Sequence, residues 1–349
     1  LAVGLVLALV GGVLVMARGN TPAATPSAAA LASASPTPVA TTPAPSLGTP
    51  APRYDGMVVG FVQRSTESGW RGANTDSFTD NAKASGITLK LAYANTNYKT
   101  QIEELQNLIA EKDIQVIAFA PVQASGWDNI LKSARSAGKP VIVEDLKITS
   151  NASLYYTYVG PDFVTEGQKA ATAMCTLLEG MKDKNVFEVK GGATAGATID
   201  RDKGFRQKMG SCGIVVKSTA TADWDPSKAQ SVTAAYLKTN KNIQGIVAQN
   251  DDMALGAIKA VKAAGLTPGQ DIQIVGFDGT RDAFMAMIAG DLGATVECSP
   301  DAAPLVYKYA WDALHGVPSP GAWTPTEDQV FFASQGASVL NGILAGRKY

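Results

Sequence analysis

Two tryptophans stand where a packed core would not place them. Trp70 lies in ESGWRG and Trp224 in TADWDPSK, each flanked by charged and turn residues rather than by apolar periodicity. Groups that hydrogen-bond well accompany them along the chain: Arg71, Asp145, Arg201, Asn250 and Asp278. An aromatic face packs on C–H groups, and carboxylates, amides and guanidinium groups bond hydroxyls, the charge-assisted bonds being stronger. Together the set suits a small ring rich in hydroxyls. Several members also have a plainer reading. Asp145 could be a solvated strand end, and Asp278 a turn residue before Gly279. Asp252 is expected to cap a helix beginning at Met253.

These residues fall at the ends of regularly alternating elements. Short apolar runs at Met57–Gln63, Ile87–Ala94, Ile114–Pro121 and Pro140–Asp145 read as buried strands. Between them lie helical stretches at 70–84, 98–111 and up to Ala137, the second placing Ile102, Leu105, Leu108 and Ile109 on one face. A second series follows, with strands at Asn185–Gly191, Gly213–Ser218, Gly245–Gln249 and Asp271–Asp278 and helices at 162–179, 198–209, 226–238 and 252–264. Two such series predict an α/β fold of two doubly wound parallel-sheet lobes. Ligands of such sheets sit beyond the carboxyl ends of the strands. Glu67, Asp145, Asn250 and Asp278 all occupy that position.

Composition removes several function classes. Of 349 residues, 46% are hydrophobic and 17% charged, enough for a packed core, and the length suits two domains. Thirty Lys and Arg against 31 Asp and Glu leave no basic surplus for a phosphate backbone, so no nucleic-acid partner is expected. The single histidine, His315, lacks partners for a triad or a metal site, and a helix end or loop is its expected place. Gly191, Gly192 and Gly196 form GGxxxG, which is neither a dinucleotide fingerprint nor a P-loop, and read as a strand-to-helix turn. No enzyme, no cofactor and no metal is expected. Of Cys175, Cys212 and Cys298, the first two could pair in an exported protein, or all three could be free thiols.

Leu1–Ala17 is an apolar run without charge until Arg18, of the length of a signal-peptide core or a short anchor. Residues 18–56 follow as a spacer, and the uncharged stretch from Asn20 to Pro52 holds eight prolines, which favour an extended chain. Export out of the cytoplasm is the expectation, with membrane association only through the N-terminal segment.

Beyond residue chemistry, the body resembles the ribose- and galactose-type periplasmic sugar-binding proteins of ABC transporters, the type I periplasmic binding protein fold. The resemblance runs from Met57 to about Gln335. It is carried by AQNDDMALGAIKA (Ala248–Ala260), IVGFDGTRDA (Ile274–Ala283), DRDKGF (Asp200–Phe205) and ADWDPSKA (Ala222–Ala229). ESGWRGA (Glu67–Ala73) and APVQASGW (Ala120–Trp127) are similar to the galactofuranose-binding branch. The resemblance implies two lobes joined by a three-crossing hinge, residues 57–159 with about 299–324 and residues 160–298 with about 325–349. It implies a monomer that closes on one monosaccharide and delivers it to an ABC transporter permease. Glu67, Trp70, Arg71 and Asp145 would face the ligand from one lobe, and Arg201, Trp224, Asn250 and Asp278 from the other. Two departures, Leu146 after Asp145 and Cys298 where ribose binders keep Gln, weaken ribose and leave galactofuranose or galactose ahead. A tethered sensor feeding a kinase or chemoreceptor is the alternative.

Overall fold

Apolar runs too short for helices but buried on both faces build two sheets. The computed structural model describes residues 52–66 and 68–349; the N-terminal run, nearly all of the spacer and Glu67 lie outside the described residues. The first sheet takes β1 (Val58–Gln63), β2 (Thr88–Tyr93), β3 (Val116–Phe119), β4 (Val141–Glu144) and β5 (Thr157–Gly160). These alternate with α1 (Gly69–Ser85), α2 (Tyr98–Ala110) and α3 (Asp128–Ser136). The second takes β6 (Asn185–Lys190), β7 (Val215–Thr221), β8 (Gly245–Ala248), β9 (Gln273–Asp278) and β10 (Ala294–Glu297). Its helices are α4 (Phe163–Leu177), α5 (Gly196–Met209), α6 (Pro226–Thr239), α7 (Asp251–Ala263) and α8 (Arg281–Ile288). After α9 (Ala303–Leu314), β11 (Trp323–Pro325) joins the first sheet and β12 (Val330–Phe332) the second, before α10 (Ala337–Gly346).

Strand orders are β2-β1-β3-β4-β5-β11 and β7-β6-β8-β9-β10-β12, the same winding twice. All pairings are parallel except β10 with β12. The expected doubly wound, two-lobed architecture is therefore present. In each lobe the order reverses beside the first strand, β1 or β6, which opens a crevice at the carboxyl edge. The chain passes between the sheets after β5, after β10 and after β11. These crossings are tied to one another: Thr326 N donates to Gly160 O at 3.2 Å, and Ser299 N to Asp328 Oδ1 at 3.2 Å.

Polar residues before the helices fix where they start. Asn97, Asp162 and Asp225 accept from backbone N–H groups in the first turns of α2, α4 and α6. At α7 the expected cap is corrected. Asn250, not Asp252, accepts from Met253 N at 2.9 Å, because the helix begins two residues earlier than read and Asp251 already lies inside it. His315 stands at the C-terminal end of α9, its Nδ1 2.8 Å from Trp311 O.

Helices α4 and α5 approach as closely as backbones allow. A Cβ on Gly204 would lie 1.9 Å from Val164 O, and one on Gly167 2.1 Å from Arg201 O. A disulfide joins Cys175 on α4 to Cys212 just beyond α5, with a Cα–Cα distance of 5.8 Å; Cys298 is a buried free thiol. A structural disulfide suits an oxidising compartment.

Candidate functional site

The repeated winding brings two similar arginine–aspartate pairs to the two carboxyl edges. Asp145 follows β4 and Asp278 ends β9, the fourth strand of each series. Each faces an arginine near the start of the helix after the first strand, Arg71 on α1 and Arg201 on α5. Arg71 NH2 donates to Asp145 Oδ2 at 2.6 Å, with both side chains buried. Arg201 Nε donates to Glu166 Oε2 at 2.7 Å and NH1 to Gln249 O at 2.6 Å. Its NH2 stands 3.7 Å from Asp278 Oδ1, an ion-pair distance too long for a hydrogen bond. A ligand hydroxyl set between them can bond both. The Arg201 guanidinium lies over the rings of Phe163 and Phe277, 5.2 and 4.7 Å from their centroids, where the aromatic faces attract its charge.

Both aspartates carry backbone strain, with φ of +63° at Asp145 and +108° at Asp278. A non-glycine residue held there costs roughly 1–3 kcal/mol, and such strain persists where surrounding contacts over-determine it. The β7–α6 turn does the same at Asp223 and Trp224, with φ of +52° and +66°.

The tryptophans supply the apolar surfaces. Trp70 is 8% exposed and donates from Nε1 to Cys298 O at 2.6 Å, anchoring it to the crossing after β10. Arg71 lies over its ring at 4.6 Å. Trp224 is half-buried and packs on the turn after β6, where a Cβ on Gly191 would stand 2.2 Å from its ring. Gly191 in the GGxxxG stretch therefore makes room for an indole.

Seven of the eight expected site residues, Trp70, Arg71, Asp145, Arg201, Trp224, Asn250 and Asp278, line one cavity between the lobes. Glu67 lies outside the described residues. The cavity has a volume of about 60 Å³. On a scale where one water takes roughly 10–15 Å³, that is the space of a few waters. Asn250 Oδ1 is committed to capping α7, which leaves its amide N–H groups for a ligand. Arg64, Ser68, Phe163, Ala195 and Ala197 also line the cavity and escaped the sequence reading, as did any positive place for Leu146 and Cys298. Arg64 obeys the strand-end rule and was findable, coming one residue after β1. Phe163 was not, because it enters from a crossing whose path depends on both sheets. Trp127, in the APVQASGW stretch, is fully buried against Phe119 and Tyr98 in the first-lobe core and takes no part.

Burial shapes the protonation of this region. It pushes Asp278 well above the usual carboxylate range, an effect partly opposed by Arg201. Burial also raises Glu144, with Asp145 adding to the rise, to about 8, while Arg71 and Asn74 pull the other way. Asp328 reaches about 8 and Glu188 about 7, again chiefly through burial. A carboxyl whose folded pKa exceeds its unfolded value keeps a proton that the unfolded chain has released, so stability falls as pH rises between the two values. For Glu144 that window runs from 4.5 to about 8. The urea midpoint is therefore expected to drop from about pH 5 to about pH 8, and Glu144→Gln to shrink the drop. A midpoint that climbs across this range would contradict the assignment.

Comparison with known proteins gives a consistent result. Residues 59–316 match the family described as periplasmic binding protein domain. The chain is 37% identical over 263 residues to the galactofuranose-binding protein of Escherichia coli, covering 74% of this chain and 81% of that one. It resembles the crystal structure of a galactofuranose binding protein with a TM-score of 0.78 at 33% identity, over 83% of this chain and 98% of that chain. The binding-protein component of the arabinose ABC transporter from Shewanella, bound to α- and β-L-arabinofuranose, gives a TM-score of 0.78 at 32% identity, covering 84% and 99%.

Proposed function

The chain belongs to the periplasmic binding protein family, and from that footing we propose that it captures a single monosaccharide outside the cytoplasm and delivers it to the permease of an ABC transporter. The carrying observation is the cavity itself, in which each lobe contributes one tryptophan and one arginine–aspartate pair. Neither half alone can both stack on a sugar ring and satisfy its rim of hydroxyls. Contacts are complete only when the lobes are together, so ligand shifts the population toward the closed form. A permease that reads the closed form then receives loaded protein. The protein performs no covalent step on its ligand.

A furanose of galactose or a related sugar is favoured over ribose. Support comes from the furanose ligands of the related proteins and from Leu146 and Cys298, which line the cavity without a strong charged donor. The lobes are assigned as residues 57–159 with about 299–324 and 160–298 with about 325–349, acting as a monomer. The N-terminal run serves as export signal or anchor, with the Pro-rich stretch as spacer.

The test is a thermal-shift screen over D-galactose, L-arabinose, D-fructose and D-ribose, with the common amino acids as the contrasting set, followed by calorimetry on whatever shifts. A sugar at 100 times its Kd stabilises the folded chain by about 2.7 kcal/mol, which a melt resolves easily. Galactose or arabinose is expected to give the larger shift. A melt moved by amino acids and by none of the sugars would sink the proposal.

A further inference from the structure

A strained turn that presents a binding group has to be held from behind, and the two lobes do this differently. In the first, Tyr158 Oη donates to Asp145 O at 2.8 Å. In the second, the turn after Asp278 rests on a carboxylate that does not line the cavity. Asp251 is completely buried at the start of α7. Its Oδ2 accepts from Thr280 N at 2.8 Å, and its Oδ1 accepts from Thr295 Oγ1, also at 2.8 Å. That hydroxyl in turn accepts from Gly279 N at 3.2 Å. The two N–H groups that follow Asp278 are thus both fastened to one carboxylate, the second directly and the first through a single hydroxyl.

The strand beneath is shaped around this carboxylate. A Cβ on Gly276 would stand 2.2 Å from Asp251 Oδ1, so β9 carries glycine where the carboxylate passes. Asn250, which caps α7 and lines the cavity, is the residue immediately before Asp251. One buried group therefore links two cavity residues that lie on different loops. Asp251 makes no contact with the cavity, and all its hydrogen bonds go to the turn and its neighbour β10.

We propose that Asp251 is a positioning residue, holding Asp278 in the backbone conformation that binds the sugar and so setting affinity without touching ligand. The proposal rests on the sugar-binding reading for its affinity readout, and on ligand-free chain dynamics for an independent one. The full chain is used throughout, with D-galactose and L-arabinose as probes. Asp251→Asn and Thr295→Val are each expected to weaken binding roughly 10- to 100-fold, the loss that follows from leaving a buried N–H of the turn without its acceptor. Thr295→Ser should retain wild-type affinity. In an Asp278→Asn background, Asp251→Asn should add less than about threefold, because coupled residues are not additive. Without ligand, amide hydrogen exchange over residues 276–284 is expected to quicken more than about tenfold in both variants while that of β1 stays unchanged. Unchanged exchange over 276–284, or a fully additive loss of affinity, would overturn the proposal. If the wild-type chain binds neither of these sugars nor D-fructose or D-ribose, the functional reading fails and the exchange measurement alone decides the role of Asp251.

Discussion

Asp278→Ala is expected to weaken sugar binding by roughly 5- to 150-fold, the sum of two hydrogen bonds at about 0.5–1.5 kcal/mol each to a carboxyl whose charged form burial disfavours. Asp278 is the carboxylate that Arg201 approaches without hydrogen-bonding, so its acceptor capacity is open to ligand hydroxyls. Its removal leaves Arg201 still bonded to Glu166 and Gln249, so the guanidinium keeps its place and no buried cation is stranded. Burial already disfavours the charged form of Asp278. Deleting the carboxyl therefore removes a desolvation cost as well as a few contacts, and the ligand-free melting temperature should move little. The outcome to look for is a large loss in calorimetry beside a nearly unchanged melt. Undiminished affinity would show that the ligand is held elsewhere.

Gly204→Ala tests the platform that carries Arg201, and here two effects oppose each other. In an ordinary helix interior, replacing glycine by alanine stabilises by about 1 kcal/mol. At this position the new Cβ would stand 1.9 Å from Val164 O and 2.8 Å from Val164 C, both backbone atoms of α4. Helix α4 cannot simply withdraw, because Gly167 one turn along it meets Arg201 O in the same way and the Cys175–Cys212 bridge ties its far end. Overpacking of this kind costs about 1–3 kcal/mol or more. The steric term wins, and a net loss of about 2 kcal/mol or more is expected in urea unfolding. Forcing α5 away from α4 also moves Arg201 off Glu166, so sugar affinity should fall with stability. A variant as stable as the parent would mean that the helices separate at little cost.

Much of this architecture was readable in advance because parallel strands buried on both faces leave unbroken apolar runs. Runs such as MVVGFVQ and DIQIVGFD contain β1 and β9 within two residues at either end. Strands β5, β10, β11 and β12 were not distinguished, since segments of three or four residues carry no period, and β3, β4 and β8 of the same length stand out only by their Ile and Val content. The cap of α7 was misread for a related reason. Asn250, Asp251 and Asp252 are all competent acceptors, and only the path of β8 into the helix selects among them. With that choice made, Asp251 was available for a different task beneath the Asp278 turn.

The amino-acid sequence by itself determined the alternation of elements, the twofold repeat of the winding and the presence of polar groups at the carboxyl ends of strands. These follow from local periodicity and from chain order. Tertiary structure decided which of those groups meet. Arg71 finds Asp145 across 74 residues, and Trp70 anchors to the Cys298 carbonyl across 228. It also decided that Cys175 joins Cys212, that Gly191 yields to Trp224, and that Phe163 enters the cavity from a crossing. Each is a close approach between segments distant in sequence, set by how two sheets and three crossings pack. No period in the chain records such an approach, because the free energy that selects it arises only when both partners are in place.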